Sequence, residues 1–420
     1  VPIRHLRNLC KTVVKEESTK TDHLGRIFAE DFGVSIKNHT HFSAAFSKEV
    51  LQKSVDQNVV FSPLSISVAL SMAAGGAYGS TLDEICSCLK FQDPHELHEL
   101  SSHLSNVVLA DGSANGGPLL SFVNRVWVDQ SMNLKKNYRD IVKKHYNSEP
   151  ISVDFFNKGH EVTVEANKMV ENETEGKVKE LLPHGSVDKL TKLILANALY
   201  FKGTWLNKFE SYATKKGKFY FLNGQSVKVP MMTTRKKQII NKVGDCKILC
   251  LPYAPAQGHD MRSFSMYFIL PDDINGLPEL EKKVDLNFLE HHLYQRCEVK
   301  VGSFQLPRFK ISGSVTATQI LKSMGLVLPF SDEEANFTEM VDSDEILYIS
   351  NVFHQSYVEV NEGGTEAAAA TTAFMGGCSL TPIPDPIEDF VADHPFMFVI
   401  KEEESGAILF VGHVVNPLDN

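Results

Sequence analysis

Apolar positions change their period along the chain. From residue 26 to 55 they recur at helical spacing. The run SPLSISVALSMAAGG (62–76) is apolar on nearly every side and predicts a buried helix. Ser62 is placed to cap it, Pro63 suits the first helical position, and the Gly75–Gly76 pair ends it. STLDEICSCL (80–89) predicts another helix, with Thr81 and Glu84 spaced as a capping box. A third starts at DPHELHELSSHLSNVV (93–108), with Asp93 as cap and Pro94 as its first residue. YRDIVKKHY (138–146) and EVTVEANKMVENETEGKVKELL (161–182) also have helical spacing. LLSFVNRVWV (119–128), KLILANALYF (192–201) and SMYFILP (265–271) are apolar and rich in aromatic or β-branched residues, and they predict strands. The last third is mostly strand: EVKVGSFQLPRFKIS (298–312), YVEVNE (357–362), FMFVIKE (396–402) and ILFVGHVV (408–415). Helices come first and strands dominate later, without βα alternation. The expected class is α+β with large, mostly antiparallel sheets. A loosely organised extension (1–26) precedes one domain (27–420) with no visible linker.

Composition narrows the function. The chain has 420 residues, 43% hydrophobic, and a net charge of −10. That balance disfavours nucleic acid and anionic membranes as partners. No apolar run approaches the ~20 residues of a spanning helix, so no transmembrane segment is expected. Seven cysteines are sparse, odd in number and without zinc-site spacing. They read as mostly free, buried thiols. The chain opens with neither Met nor the apolar core of a signal peptide. A removed Met and an already removed targeting segment both fit, so cytoplasmic and extracellular locations stay open. No GxSxG or HExxH motif occurs, and we expect no enzyme. His95, His98 and His103 are imperfectly spaced for a metal, and neither metal nor cofactor is expected. The basic runs TKKGK (214–218) and TTRKKQ (233–238) read as solvated turns.

One segment fits no element. EVNEGGTEAAAATTAFMGGCSLTPIPDP (359–386) contains a loop of about residues 363–389 with no secondary-structure signal, and loops beyond ~15 residues are usually functional or disordered. Gly363 and Gly364 allow a turn. Alternation then places Thr365, Ala367, Ala369 and Thr371 on one face, and Glu366, Ala368, Ala370 and Thr372 on the other. The single charge lies on one face, and the other is small enough to slip between packed strands. Continued to Cys378, this strand would be 14 residues long, roughly 46 Å at about 3.3 Å each. Pro382, Pro384 and Pro386 resist pairing beyond it. Composition alone equally allows a disordered Ala/Thr/Pro linker.

Several motifs resemble those of the serpins, the serine-protease-inhibitor superfamily, and most of all the plant members. They are EVNEGGTEAAAAT, FVADHPFMFVI (390–400), NVVFSPLSISVALSMAAGGAYGST (58–81), NALYFKGTW (197–205), LPRFKI (306–311) and MGL (324–326). The resemblance runs from about residue 27 to the end. It implies three β-sheets, eight or nine helices and an exposed reactive-centre loop. It also implies suicide inhibition, in which a protease attacks the loop and the hinge inserts into the main sheet while the acyl-enzyme persists. By resemblance, Glu362, Gly364, Thr365, Glu366, Ala367, Ala368, Ala369 and Ala370 form the hinge. Counting from Glu362 puts the reactive bond at Cys378–Ser379. Ser62, Ser65, Asn197 and His354 match a buried polar cluster, the shutter, and Trp205 matches the breach at the mouth of the sheet. The partner implied is a target protease met by a monomer.

Two departures refine this. Plant relatives usually carry Leu-Arg at the reactive site, whereas this chain has Gly377–Cys378. No Arg or Lys lies between Glu366 and Asp385. An elastase-like, chymotrypsin-like or cysteine protease is therefore expected as target, not a trypsin-like one. A slipped register would offer Phe374, Met375 or Leu380. The helix at 93–108 lacks the Lys and Arg of heparin-activated relatives, so no heparin activation is expected. The alternative is a non-inhibitory serpin acting as carrier or chaperone, and the small-residue hinge argues against it.

Overall fold

The structure, a computed structural model, describes residues 18–258, 260–294, 298–365 and 387–419. Among these, nine α-helices precede or surround three sheets and a two-stranded ribbon. The helices are α1 (Ser18–Gln52), α2 (Pro63–Ala74), α3 (Gly79–Cys88), α4 (Pro94–His103), α5 (Lys136–Tyr146), α6 (Phe155–Glu173), α7 (Leu277–Lys283), α8 (Leu286–His292) and α9 (Thr318–Ser323).

One six-stranded sheet is antiparallel throughout. Its order is β1 (Val59–Phe61), β18 (Ile408–Val414), β17 (Phe396–Glu402), β10 (Phe264–Pro271), β9 (Cys246–Pro252) and β8 (Ile239–Val243). β10 and β18 are buried at every position, which explains their unbroken apolar runs. A four-stranded sheet runs β16 (Ile387–Val391), β11 (Lys300–Pro307), β7 (Ser226–Met232) and β6 (Lys215–Tyr220). The main sheet runs β12 (Phe309–Thr316), β14 (Ile349–Val360), β5 (Leu193–Thr204), β2 (Leu119–Asp129) and β4 (Ile151–Val153). A short strand, β15 (Gly364–Thr365), pairs with β5 off this path. The ribbon is β3 (Asn133–Leu134) with β13 (Val341–Asp342).

Helix α2 forms where its signals place it. Ser62 Oγ accepts the Ser65 N–H at 3.1 Å, Pro63 opens the helix, and all twelve residues are buried. It packs under β5 and β18. Asp93 likewise accepts the His95 N–H, 2.8 Å, and Pro94 opens α4.

Two local expectations are corrected. Thr81 and Glu84 form no capping box. Helix α3 starts earlier, at Gly79, behind Tyr78, which makes no side-chain cap. Both side chains are thereby free for tertiary contacts. Thr81 Oγ1 accepts the Asn336 N–H (2.9 Å), and the Glu84 carboxylate accepts those of Val327 and Leu328 (2.8 Å each). The helix expected to reach Leu182 ends at Glu173. There Thr174 Oγ1 donates to Val170 O and accepts the Val178 N–H, while Glu175 and Gly176 take left-handed backbone angles. Val178, Leu181 and Leu182 then bury against the main sheet as irregular chain. Upstream, α1 begins at Ser18, eight residues before the helical spacing becomes apparent at residue 26.

Candidate functional site

The main sheet joins β14 and β5 in parallel, with His354 opposite Asn197. The His354 side chain reaches the N-terminus of α2 beneath. Asn197 Oδ1 lies 2.5 Å from His354 Nδ1, so that nitrogen carries the proton. The Ser62 backbone N–H donates to Nε2 at 2.8 Å, and Ser356 Oγ also lies 2.8 Å from it. An N–H can only donate, so Nε2 must accept and the ring is neutral. Ser65 Oγ donates to Ser62 Oγ, 2.9 Å, closing the cluster. Three separated segments are thus tied by buried hydrogen bonds at the seam where two parallel strands meet. The structure brings together all four residues expected there and adds Ser356. Ser356 lies two residues from His354, and strand alternation could have singled it out.

Beyond Tyr357 and Tyr200 the β14–β5 pairing stops. The chain leaving β14 turns between Asn361 and Gly364, whose backbones exchange hydrogen bonds of 3.0 and 3.3 Å. It then runs back antiparallel to β5, with Gly364 opposite Thr204 and Thr365 opposite Gly203. Gly364 has φ +145°, and a Cβ there would lie 2.1 Å from Gly203 O, so only glycine fits. Thr365 is fully buried, and its hydroxyl lies 2.7 Å from Tyr253 Oη.

Trp205 organises this mouth. Its Nε1 donates to Asn361 O and its backbone N–H to Gly363 O, both at 2.9 Å. Its ring stacks on Tyr253 with centroids 4.5 Å apart. Glu362 is anchored three ways. Thr214 Oγ1 donates to its carboxylate at 2.6 Å, Arg308 pairs at 3.6 Å, and Phe209 N–H donates to its carbonyl at 2.9 Å. Sequence reading did not single out Tyr253, Thr214 or Arg308. All three arrive from other sheets or their approaches, and no local pattern marks them. Glu366, Ala367, Ala368, Ala369, Ala370, Cys378 and Ser379 lie outside the described residues.

Among the described residues, Cys86, Cys88, Cys246 and Cys250 are free and buried. Burial pushes the Cys250 thiol up to about 12 and the other three to about 11, which makes them poor nucleophiles. No helix among the described residues is long and apolar enough to cross a membrane. His98 Nδ1 lies 2.7 Å from Tyr146 Oη. Among the described residues no group of three or more His, Cys, Asp or Glu is placed to hold a metal.

Burial lowers His354 to about 3, and His39, buried beside α2, to about 4, against an ordinary 6.5. Below pH 6.5 the unfolded rings gain protons that the folded rings refuse until pH 3–4. Native stability therefore falls with acidification through that window, by about 2 kcal/mol per ring at pH 5. The unfolding midpoint should drop between pH 7 and pH 5, and His354→Gln should flatten the slope. A midpoint indifferent to pH over this range would contradict the assignment.

Comparison with known proteins gives a consistent picture. A profile of the Serpin (serine protease inhibitor) family matches residues 37–417. Serpin-ZXA of Oryza sativa subsp. japonica is 49% identical over 400 residues, covering 93% of this chain and 99% of its own length. Serpin-ZX of Arabidopsis thaliana is 46% identical, covering 92% and 100%. The native stressed conformation of Arabidopsis AtSerpin1 superposes with a TM-score of 0.84 at 44% identity, covering 92% of this chain and 98% of that one. Human thyroxine-binding globulin complexed with thyroxine gives 0.78 at 27% identity, covering 91% and 98%.

Proposed function

Because the chain belongs to the serpin family of protease inhibitors, we propose that it is an irreversible suicide inhibitor that traps its protease by inserting its hinge into the main sheet. The observation that carries this reading is β15. Gly364 and Thr365 lie at the mouth between β14 and β5, antiparallel to β5, as the first pair of an extra strand would. The alternating small residues from Thr365 onward suit the remainder of that strand. In this mechanism the protease cuts Cys378–Ser379 and forms an acyl-enzyme. Zipping of the freed hinge toward the His354–Asn197 seam then carries the protease away before hydrolysis. The chain acts stoichiometrically and not as an enzyme.

The partner is a protease whose specificity pocket accepts a small apolar residue: elastase-like, chymotrypsin-like or a cysteine protease. A trypsin-like pocket needs a cation, and none lies between Glu366 and Asp385. The test mixes the protein with one protease of each kind and runs a denaturing gel, with mass spectrometry of the released peptide. We expect a denaturant-resistant complex and a C-terminal peptide beginning at Ser379. Cleavage by every protease without any complex would remove the inhibitor reading and leave the carrier or chaperone in its place.

Helix α4 bears Glu96, Glu99 and three histidines but no Lys or Arg. A heparin titration should leave the inhibition rate within about twofold, since a polyanion finds no fixed cation on that helix. Acceleration of about tenfold or more, abolished by substitutions confined to α4, would contradict this.

A further inference from the structure

The two basic stretches of the sequence, 214–218 and 233–238, meet in space. Strand β6 begins with Lys215 and Lys216, and β7 runs antiparallel to it, placing Lys215 opposite Met231. The chain leaving β7 then makes a turn, in which Thr234 Oγ1 accepts the Lys236 N–H at 3.1 Å. Between β6 and this turn is a cavity of about 890 Å³ whose lining includes Lys215, Lys216, Arg235 and Lys236. Met231 packs closely on Gly217 in its lining: a Cβ on Gly217 would lie 2.7 Å from Met231 Cγ. Glu210 is the only acidic residue in the lining. All four cations are exposed, and none has an ion pair among the described residues.

The same strand pair sets Lys218 opposite Lys228, a like-charge pair that costs stability without a counter-ion. In a chain of net charge −10, such a concentration of unpaired cations stands against the overall field. We propose that this cavity is a binding site for a compact polyanion carrying two or more phosphate or sulfate groups. Lysines supply point charges to such groups, and the Arg235 guanidinium supplies a two-pronged contact. The cavity is concave and within the ~300–1,000 Å³ range of small-ligand sites, whereas an acidic protein surface needs no such hollow. The site is remote in sequence from α4, and it holds whether or not the loop traps a protease.

The test is calorimetric titration of the full chain with inositol hexakisphosphate and, separately, sucrose octasulfate. The first arm reads phosphate, the second sulfate. We expect binding by at least one probe that weakens about tenfold or more between low and ~0.3 M salt, because exposed charges are screened. The paired substitution Lys215→Ala/Arg235→Ala should weaken it about tenfold or more, because Lys215 shares a strand face with the lining residues Gly217 and Met231, while Lys143→Ala/Lys144→Ala on α5 changes it less than about twofold, and both variants should keep the parent unfolding midpoint. No heat at ~1 mM of either probe in low salt overturns the proposal. So does equal loss in both variants, which marks a diffuse field and no site. If the cavity variant instead slows association with a protease while polyanion binding is unchanged, the surface docks a protein and the proposal falls.

Discussion

Nicking the loop between Glu366 and Ile387 with a metalloprotease that is not trapped should raise the unfolding midpoint by about 10 °C or more, as read by calorimetry. The reasoning starts at β15, where Gly364 and Thr365 already pair with the end of β5. Below them β14 and β5 are joined in parallel from Ile349 and Leu193 to Tyr357 and Tyr200. A strand entering between them replaces one ladder by two, so each inserted residue adds about one net hydrogen bond. Some ten to twelve added bonds at ~1 kcal/mol each give on the order of 10 kcal/mol. For a chain of 420 residues the unfolding entropy is about 0.9 kcal/mol per degree, so each kcal/mol is worth roughly 1 °C. The uncut loop is tied at both ends and cannot enter fully. A shift below ~5 °C after complete nicking would mean a sheet that stays shut, and would favour the carrier or chaperone.

Thr365→Arg should turn the inhibitor into a substrate. Thr365 is fully buried between strands, with its hydroxyl 2.7 Å from Tyr253 Oη and Trp205 stacked behind that ring. The groups described around its hydroxyl are the Tyr253 and Trp205 rings, and an unpaired buried charge costs several kcal/mol. The hinge then stays in solvent, where the arginine is well solvated, so the rest of the fold survives. Without rapid insertion the acyl-enzyme hydrolyses. Molecules of inhibitor consumed per protease inactivated should rise from about one to more than ~10, because each kcal/mol lost from insertion slows trapping about fivefold. The resistant band should fade while cleavage continues, and Thr365→Ser should retain trapping. An Arg variant that traps as well as the parent would show that insertion does not pass through this position.

Much of this was legible in the sequence because it rests on short-range rules. Ser62, Pro63 and the glycine pair bound α2 by capping chemistry. The apolar runs of β10 and β18 announce strands buried on both faces. Capping by Thr81 and Glu84 was misread for a reason outside the helix: the loops at Asn336 and Val327 needed acceptors and took them. Thr174 ended α6 because its hydroxyl closed a local turn that let Val178, Leu181 and Leu182 reach the sheet.

The sequence by itself determined the class of fold and the family, since each is written in local period, composition or a contiguous motif. Only the tertiary structure decided which groups meet. His354 is neutral because Ser62 N–H, 292 residues away, donates to it. Glu362 is held by Thr214 and Arg308 from other strands and their approaches. Two basic runs that are ordinary turns in the sequence come to line one cavity. Hydrogen bonds and charges act over a few ångströms of space, and chain separation places no limit on which of them are brought within that range.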